Sequence, residues 1–103
     1  MAEGLNRPGK KLLVTGNGRC NLGNTRIAPE CYHTARPDRL KVLLKQMPAT
    51  LTTDFFERWG LMTMADEAGR LYPYCRQASM VVDVLLLALQ RRGVAVETDC
   101  TVT

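Results

Sequence analysis

Residues 77–94 read QASMVVDVLLLALQRRGV, and the way this run is built decides the fold class. Ala78, Val81, Val82, Leu85, Leu86 and Leu89 recur at i, i+3, i+4, i+7, i+8 and i+11, the spacing that lines one face of an α-helix. The other side is nearly as apolar, since Met80, Val84, Leu87 and Ala88 leave Asp83 and Gln90 as almost its only polar residues. A helix of that kind is buried on both faces, which a chain of 103 residues struggles to arrange. Arg91 and Arg92 meet the negative end of the helix dipole and Gly93 supplies the cap, so the helix is predicted over 77–92. Beyond it Val94, Val96, Thr98 and Cys100 alternate with Ala95, Glu97, Asp99 and Thr101, the period of a strand running to Thr103. A helix feeding a strand is half of an α/β unit. In a parallel sheet that strand needs neighbours, and no other stretch is long enough to serve. The expectation is a piece of a larger protein.

The preceding residues divide into shorter elements. Pro37 suits the first position of a helix whose apolar side is Leu40, Val42, Leu43, Leu44 and Met47, closed by Pro48. A second helix begins at about Thr50 or Thr52, with threonine as N-cap and Gly60 as its stop. Its apolar side is Phe55, Phe56 and Trp59, read as core in preference to a substrate wall. Leu61–Ala65, the turn Asp66-Glu67-Ala68-Gly69 and Arg70-Leu71-Tyr72 before Pro73 form a short hairpin. Residues 1–9 read as a loop and 25–35 as irregular. The fold class is therefore α+β: a small, mostly helical unit with one β-hairpin and a C-terminal helix–strand piece. Its organisation is 1–24, a contact loop; 25–75, a helical insert with the hairpin; and 76–103, the helix–strand piece.

One stretch looks chemical. Lys11 to Asn24, KLLVTGNGRCNLGN, ends an apolar run in a loop with glycines at 16, 18 and 23, asparagines at 17, 21 and 24, and Arg19 among them. Glycine and asparagine tolerate positive φ, and such a loop can aim successive N–H groups at one anion. Arg19 adds a planar charged fork for phosphate or carboxylate, and Asn17, Asn21 and Asn24 add neutral hydrogen bonds for hydroxyls. A plain turn is the competing reading, because Asn-Gly is also a hairpin signal. No catalytic acid or base can be named: His33 has no carboxylate at a helical offset to orient it. Cys20, Cys31, Cys75 and Cys100 contain no C-x-x-C pair, and with a single histidine no zinc spacing can be assembled. They read as free thiols packing like small hydrophobes.

The composition, 46% hydrophobic and 23% charged, is that of an ordinary globular protein. No apolar run approaches the roughly 18 residues needed to span a bilayer, and no signal-peptide core is visible, so a cytoplasmic location is expected. Residues 1–47 carry nine Lys/Arg against three acids, a charge of +6, while the remainder carries five against seven, or −2. A basic half suggests an anionic partner, either a nucleotide cofactor or nucleic acid. Nucleic acid is disfavoured because that half lacks interleaved aromatics apart from Tyr32.

Residues 8–24, PGKKLLVTGNGRCNLGN, resemble the segment that follows the second strand of the FAD-binding Rossmann unit in the aminoacetone-oxidase-like flavoproteins, of the YhiN and BaiN type. DFFERWGL, GRLYP and QASMVVDVLLLALQRRGV are similar to the same family in the same order, so the resemblance covers nearly the whole chain. It implies a piece of a two-dinucleotide-binding-domain flavoprotein, an FAD-dependent oxidoreductase. Gly16, Asn17, Gly18, Arg19, Cys20, Asn21 and Asn24 would line the FAD, and Glu3 would match the acid that bonds the adenosine ribose. The glycine fingerprint G-x-G-x-x-G of such folds is absent, because Gly16-Asn17-Gly18 is followed by Asn21 where the third glycine belongs. The chain alone is thus expected to bind FAD weakly or not at all and to be inactive, its partner being the remainder of the parent. A self-contained interaction module, self-associating through exposed apolar surface, and a small basic nucleic-acid binder are the alternatives.

Overall fold

A computed structural model describes the whole chain, Met1–Thr103. It is α+β, with α1 (Pro37–Gln46), α2 (Ala49–Arg58), α3 (Ala78–Arg91) and a three-stranded antiparallel sheet of β1 (Gly23–Asn24), β2 (Thr63–Ala65) and β3 (Arg70–Pro73) in the order β1-β3-β2. Lys10–Gly18 coils as a 3-10 segment, and Pro29–Cys31 adds a single 3-10 turn inside the stretch expected to be irregular. No helix is long and apolar enough to cross a membrane.

Local chemistry explains most boundaries. α1 opens on Pro37, with Asp38 in its first turn and Lys45 in its last, both favourable to the dipole. α2 begins at Ala49, directly after Pro48 in extended geometry (φ −68°, ψ 161°), so no threonine caps it; Thr53 Oγ1 donates instead to the Thr50 carbonyl at 3.0 Å. Gly60, at φ 90°, stops α2 as expected: Gly60 N–H reaches the Glu57 carbonyl and Leu61 N–H the Phe56 carbonyl, both at 2.9 Å.

The hairpin turn is held by one carboxylate. Asp66 Oδ1 accepts from Ala68 N–H at 3.0 Å and Arg70 N–H at 2.8 Å, and Oδ2 pairs with Arg70 Nε at 2.8 Å. Burial works to raise the Asp66 pKa, but the Arg70 amide and guanidinium more than offset it, so the carboxyl titrates below its ordinary value. On the other side of β3, Leu22 N–H bonds the Leu71 carbonyl at 2.8 Å and Thr25 N–H the Gly69 carbonyl at 2.7 Å, which ties the N-terminal loop to the hairpin.

α3 lies against the 3-10 segment. Its Ala78 and Val81 join Cys20 and Leu61 in the core, with Leu12, Leu22, Phe56, Val84 and Leu85 packed around them. Only nine residues are buried, so the second apolar face of α3 stays open, with Met80 and Leu87 exposed. The aromatic trio also divides. Phe56 packs on the core, whereas Phe55 is exposed and Trp59 lies under the Arg92 guanidinium at 5.4 Å, because the core is too thin to take all three.

The C-terminal strand is the main correction. Residues 94–103 form no ladder of their own; Glu97 makes one parallel bridge, and its partner is Ala2 in the N-terminal stretch read as a loop. Glu3 N–H bonds the Glu97 carbonyl, Glu97 N–H the Met1 carbonyl and Cys100 N–H the Glu3 carbonyl, all at 2.8 Å. Asp99 then takes φ 54° and leaves extended geometry, which keeps the pairing short.

Two stability outcomes follow from the hairpin. A Cβ at Gly69 (φ +81°) would sit 2.7 Å from Thr25 Oγ1 and 2.9 Å from Asn24 Oδ1. Gly69→Ala is expected to cost roughly 1–3 kcal/mol in thermal or urea unfolding. Because the folded pKa of Asp66 is depressed from 3.8, its contribution is present above that value and lost as pH falls below it. The melting temperature should therefore drop on acidification below about pH 4, and Asp66→Asn should make that drop shallower.

Candidate functional site

The stretch singled out for chemistry is a constrained turn. The 3-10 segment kinks at Thr15 (φ −69°, ψ 148°), and Gly16 (φ 56°, ψ 36°) and Asn17 (φ 56°, ψ 44°) follow in left-handed geometry, with Gly18 at φ 80°. These are the residue types that tolerate it. Cys20, at φ 59°, does so as well, although nothing in its residue type signals it. Its amide bonds the Thr15 carbonyl at 2.9 Å and its side chain is 3% exposed in the core, and those contacts offset the backbone cost. Cys20 is the one thiol that packs like a hydrophobe, while Cys31, Cys75 and Cys100 are free and exposed.

Gly16 and Gly18 differ in what surrounds them. A Cβ on Gly16 would lie 2.8 Å from the Asn21 amide nitrogen and 3.2 Å from Tyr72 Cε1, so the absence of a side chain lets the loop close on itself and on β3. A Cβ on Gly18 would meet only the Leu13 carbonyl at 3.9 Å, so that glycine faces open space.

Most polar groups of the loop are occupied internally. Arg19 N–H bonds the Gly16 carbonyl at 3.2 Å, and the side chains of Asn21 and Asn24 accept from Gly23 N–H (3.1 Å) and Arg26 N–H (2.8 Å), stabilising turns. The side-chain donors left for a ligand are the exposed Asn17 amide, the Nδ2 groups of Asn21 and Asn24, whose hydrogen bonds use only Oδ1, and the terminal nitrogens of the Arg19 guanidinium. Arg19 uses only Nε, donating to the Gly16 carbonyl at 3.2 Å, and its carbon lies 4.6 Å from the centre of the Tyr72 ring. It forms no ion pair with a carboxylate of this chain. Glu3 flanks the Ala2–Glu97 bridge, and its Oε1 accepts from Leu5 N–H at 3.0 Å. His33 is exposed, with no hydrogen bond to its ring.

A second feature went unread in the sequence. An apolar cleft of about 450 Å³ opens between Gly9–Leu12, the Phe55–Trp59 side of α2 and the Leu85–Leu89 face of α3, with Arg92 at its edge. Its α3 wall is Val82, Leu85, Leu86 and Leu89 of the predicted apolar stripe, which the small core leaves partly uncovered.

Both glycines carry a conformational cost on substitution, but only one carries a clash. Gly18→Ala is expected to destabilise by about 1–2 kcal/mol from its positive φ, and Gly16→Ala by clearly more, an order that thermal melts of the pair can check.

Two relatives are similar over most of the chain. A 3-dehydro-bile acid delta(4,6)-reductase from Clostridium scindens is 40% identical over 94 residues, 91% of this chain and 23% of the relative. A ribosomal RNA dihydrouridine synthase from Escherichia coli is 30% identical over 81 residues, 78% of this chain and 20% of the relative. The chain thus spans about a fifth to a quarter of the length of these curated relatives. Residues 1–103 match the HI0933-like protein Rossmann domain from end to end, and the chain belongs to that family.

Proposed function

We propose that this chain is a flavin-contacting segment of a longer FAD-dependent oxidoreductase. The observation that carries the reading is the Arg19 guanidinium, held beside an open glycine in a left-handed turn, with its two terminal nitrogens unclaimed by any protein acceptor. The family binds FAD, and a dinucleotide offers the phosphate oxygens that such a fork recognises. The residues fit the cofactor as one wall. Gly18 leaves room for close approach, Arg19 supplies charge and Asn17 a neutral donor. The free oxygen of Glu3 suits a ribose hydroxyl, the Oδ1 bonds of Asn21 and Asn24 and the burial of Cys20 hold the loop in shape, and the Nδ2 groups of the two asparagines add neutral donors. The opposite wall, a glycine-rich turn at a helix N-terminus, has no counterpart in these residues and belongs to the rest of the protein. Bound FAD would supply the electron chemistry, while this segment would bind and orient it.

The two relatives are named for a bile acid and for ribosomal RNA, so their names favour reductive chemistry without fixing a shared substrate. The remainder of the longer protein is the proposed cover for the apolar cleft and the partner that makes the site complete. A self-contained interaction module is the second reading, favoured by the same cleft. Stable, flavin-free folding with no upstream glycine motif within about 30 residues of Glu3 would favour it, since a strand–helix–strand unit fills that distance.

The test is flavin content. Full-length protein should purify with flavin absorbance, and Gly18→Val, which blocks close approach and strains a positive φ, should lose most of it while circular dichroism stays unchanged. Undiminished flavin would sink the assignment.

A further inference from the structure

We propose that Tyr72 is a positioning residue that aims Arg19 at an anionic group of the dinucleotide. The inference rests on the flavin reading above and adds a residue that the loop itself does not contain.

Tyr72 sits on β3, the central strand, opposite Met64 of β2 and next to Leu71, which pairs with Gly23 of β1. It is 5% exposed, so its ring is fixed by packing. Two parts of the loop rest on that ring. Gly16 approaches so closely that a Cβ would lie 3.2 Å from Cε1, and the Arg19 guanidinium carbon stands 4.6 Å from the ring centre. A cation over an aromatic face is attracted by the ring quadrupole, and arginine's flat group can lie along it.

The guanidinium is therefore held in two ways. The ring fixes its face, and the Gly16 carbonyl, 3.2 Å from Nε, fixes its inner edge. What remains is the outer edge with its two terminal amino groups, the fork that binds two oxygens of one phosphate at once. A free arginine would have to give up its rotamer freedom when the ligand arrives; here that ordering is done before binding, and affinity gains accordingly. The sequence separation is 53 positions between Arg19 and Tyr72, so the loop's charge depends on a strand formed much later in the chain.

The experiment is an FAD titration of the full-length apoprotein, followed by flavin fluorescence, with the melting temperature of each variant as a fold control. Arg19→Gln should weaken FAD by roughly tenfold or more, and Arg19→Lys by nearly as much because it keeps the charge but loses the fork. Tyr72→Leu should weaken it by roughly three- to tenfold, whereas Tyr72→Phe, which keeps the ring, should stay within about twofold of the parent. The double variant Arg19→Gln/Tyr72→Leu should bind no worse than Arg19→Gln alone, since removing the platform matters only while its cation is present. Wild-type affinity in Tyr72→Leu, full additivity in the double variant, or wild-type affinity in Arg19→Lys would each overturn the positioning role while leaving the flavin reading intact. Wild-type affinity in Arg19→Gln would instead remove the flavin reading at this residue. If Tyr72→Leu does not fold, Tyr72→Met, which keeps apolar bulk without the ring, takes its place with the same expected and overturning results.

Discussion

The hydrogen bonds that join β3 to the chain after Cys20 are the constraint on which the rest depends. Leu22 and Thr25 donate to Leu71 and Gly69, and Gly23 and Asn24 pair with Leu71 and Arg70. Because β3 also pairs with β2, one strand fixes both the hairpin and the N-terminal loop. The loop could not otherwise hold consecutive left-handed residues, each of which is unfavourable alone. Cys20 pays part of that strain back through burial, and Gly16 avoids a clash with Asn21 only by lacking a side chain. A polar turn of this length would be mobile on a bare surface; tied to a central strand, it is a fixed piece of geometry.

Much of this was legible from residue types with strong local preferences. Pro37, Gly60, Gly93, the Asp66–Gly69 turn and the periodicity of residues 78–91 each announce their structure because the responsible physics lies within a few positions. The alternation of residues 94–103 misled for the opposite reason. A period of two states that a strand is possible, but pairing depends on a partner nearly the whole chain away, and the register is cut short at Asp99. Thr50 and Thr52 looked like caps until Pro48 started the helix earlier.

The candidate site divides along the same line. The tolerance of Gly16, Asn17 and Gly18 for positive φ is a property of those residues and was readable directly. The occupation of the Arg19 and Cys20 amides by carbonyls inside the loop was not, nor was the ring of Tyr72 beneath Arg19, since both depend on how distant segments are brought together. Reading residue types finds candidates for chemistry; only packing decides which donors are still unspent.

The short parallel contact between Met1–Leu5 and residues 95–100 has a kinetic consequence. Met1 N donates to the Ala95 carbonyl at 2.7 Å across a separation of 94 residues. Closing a loop that long is entropically slow and yields only a few hydrogen bonds, whereas the hairpin and the three helices form from neighbours. During synthesis residues 1–5 therefore stay without these partners until residues 95–100 have been made. The clasp between residues 1–5 and 95–100 should form after the hairpin and the helices and open before them under stress.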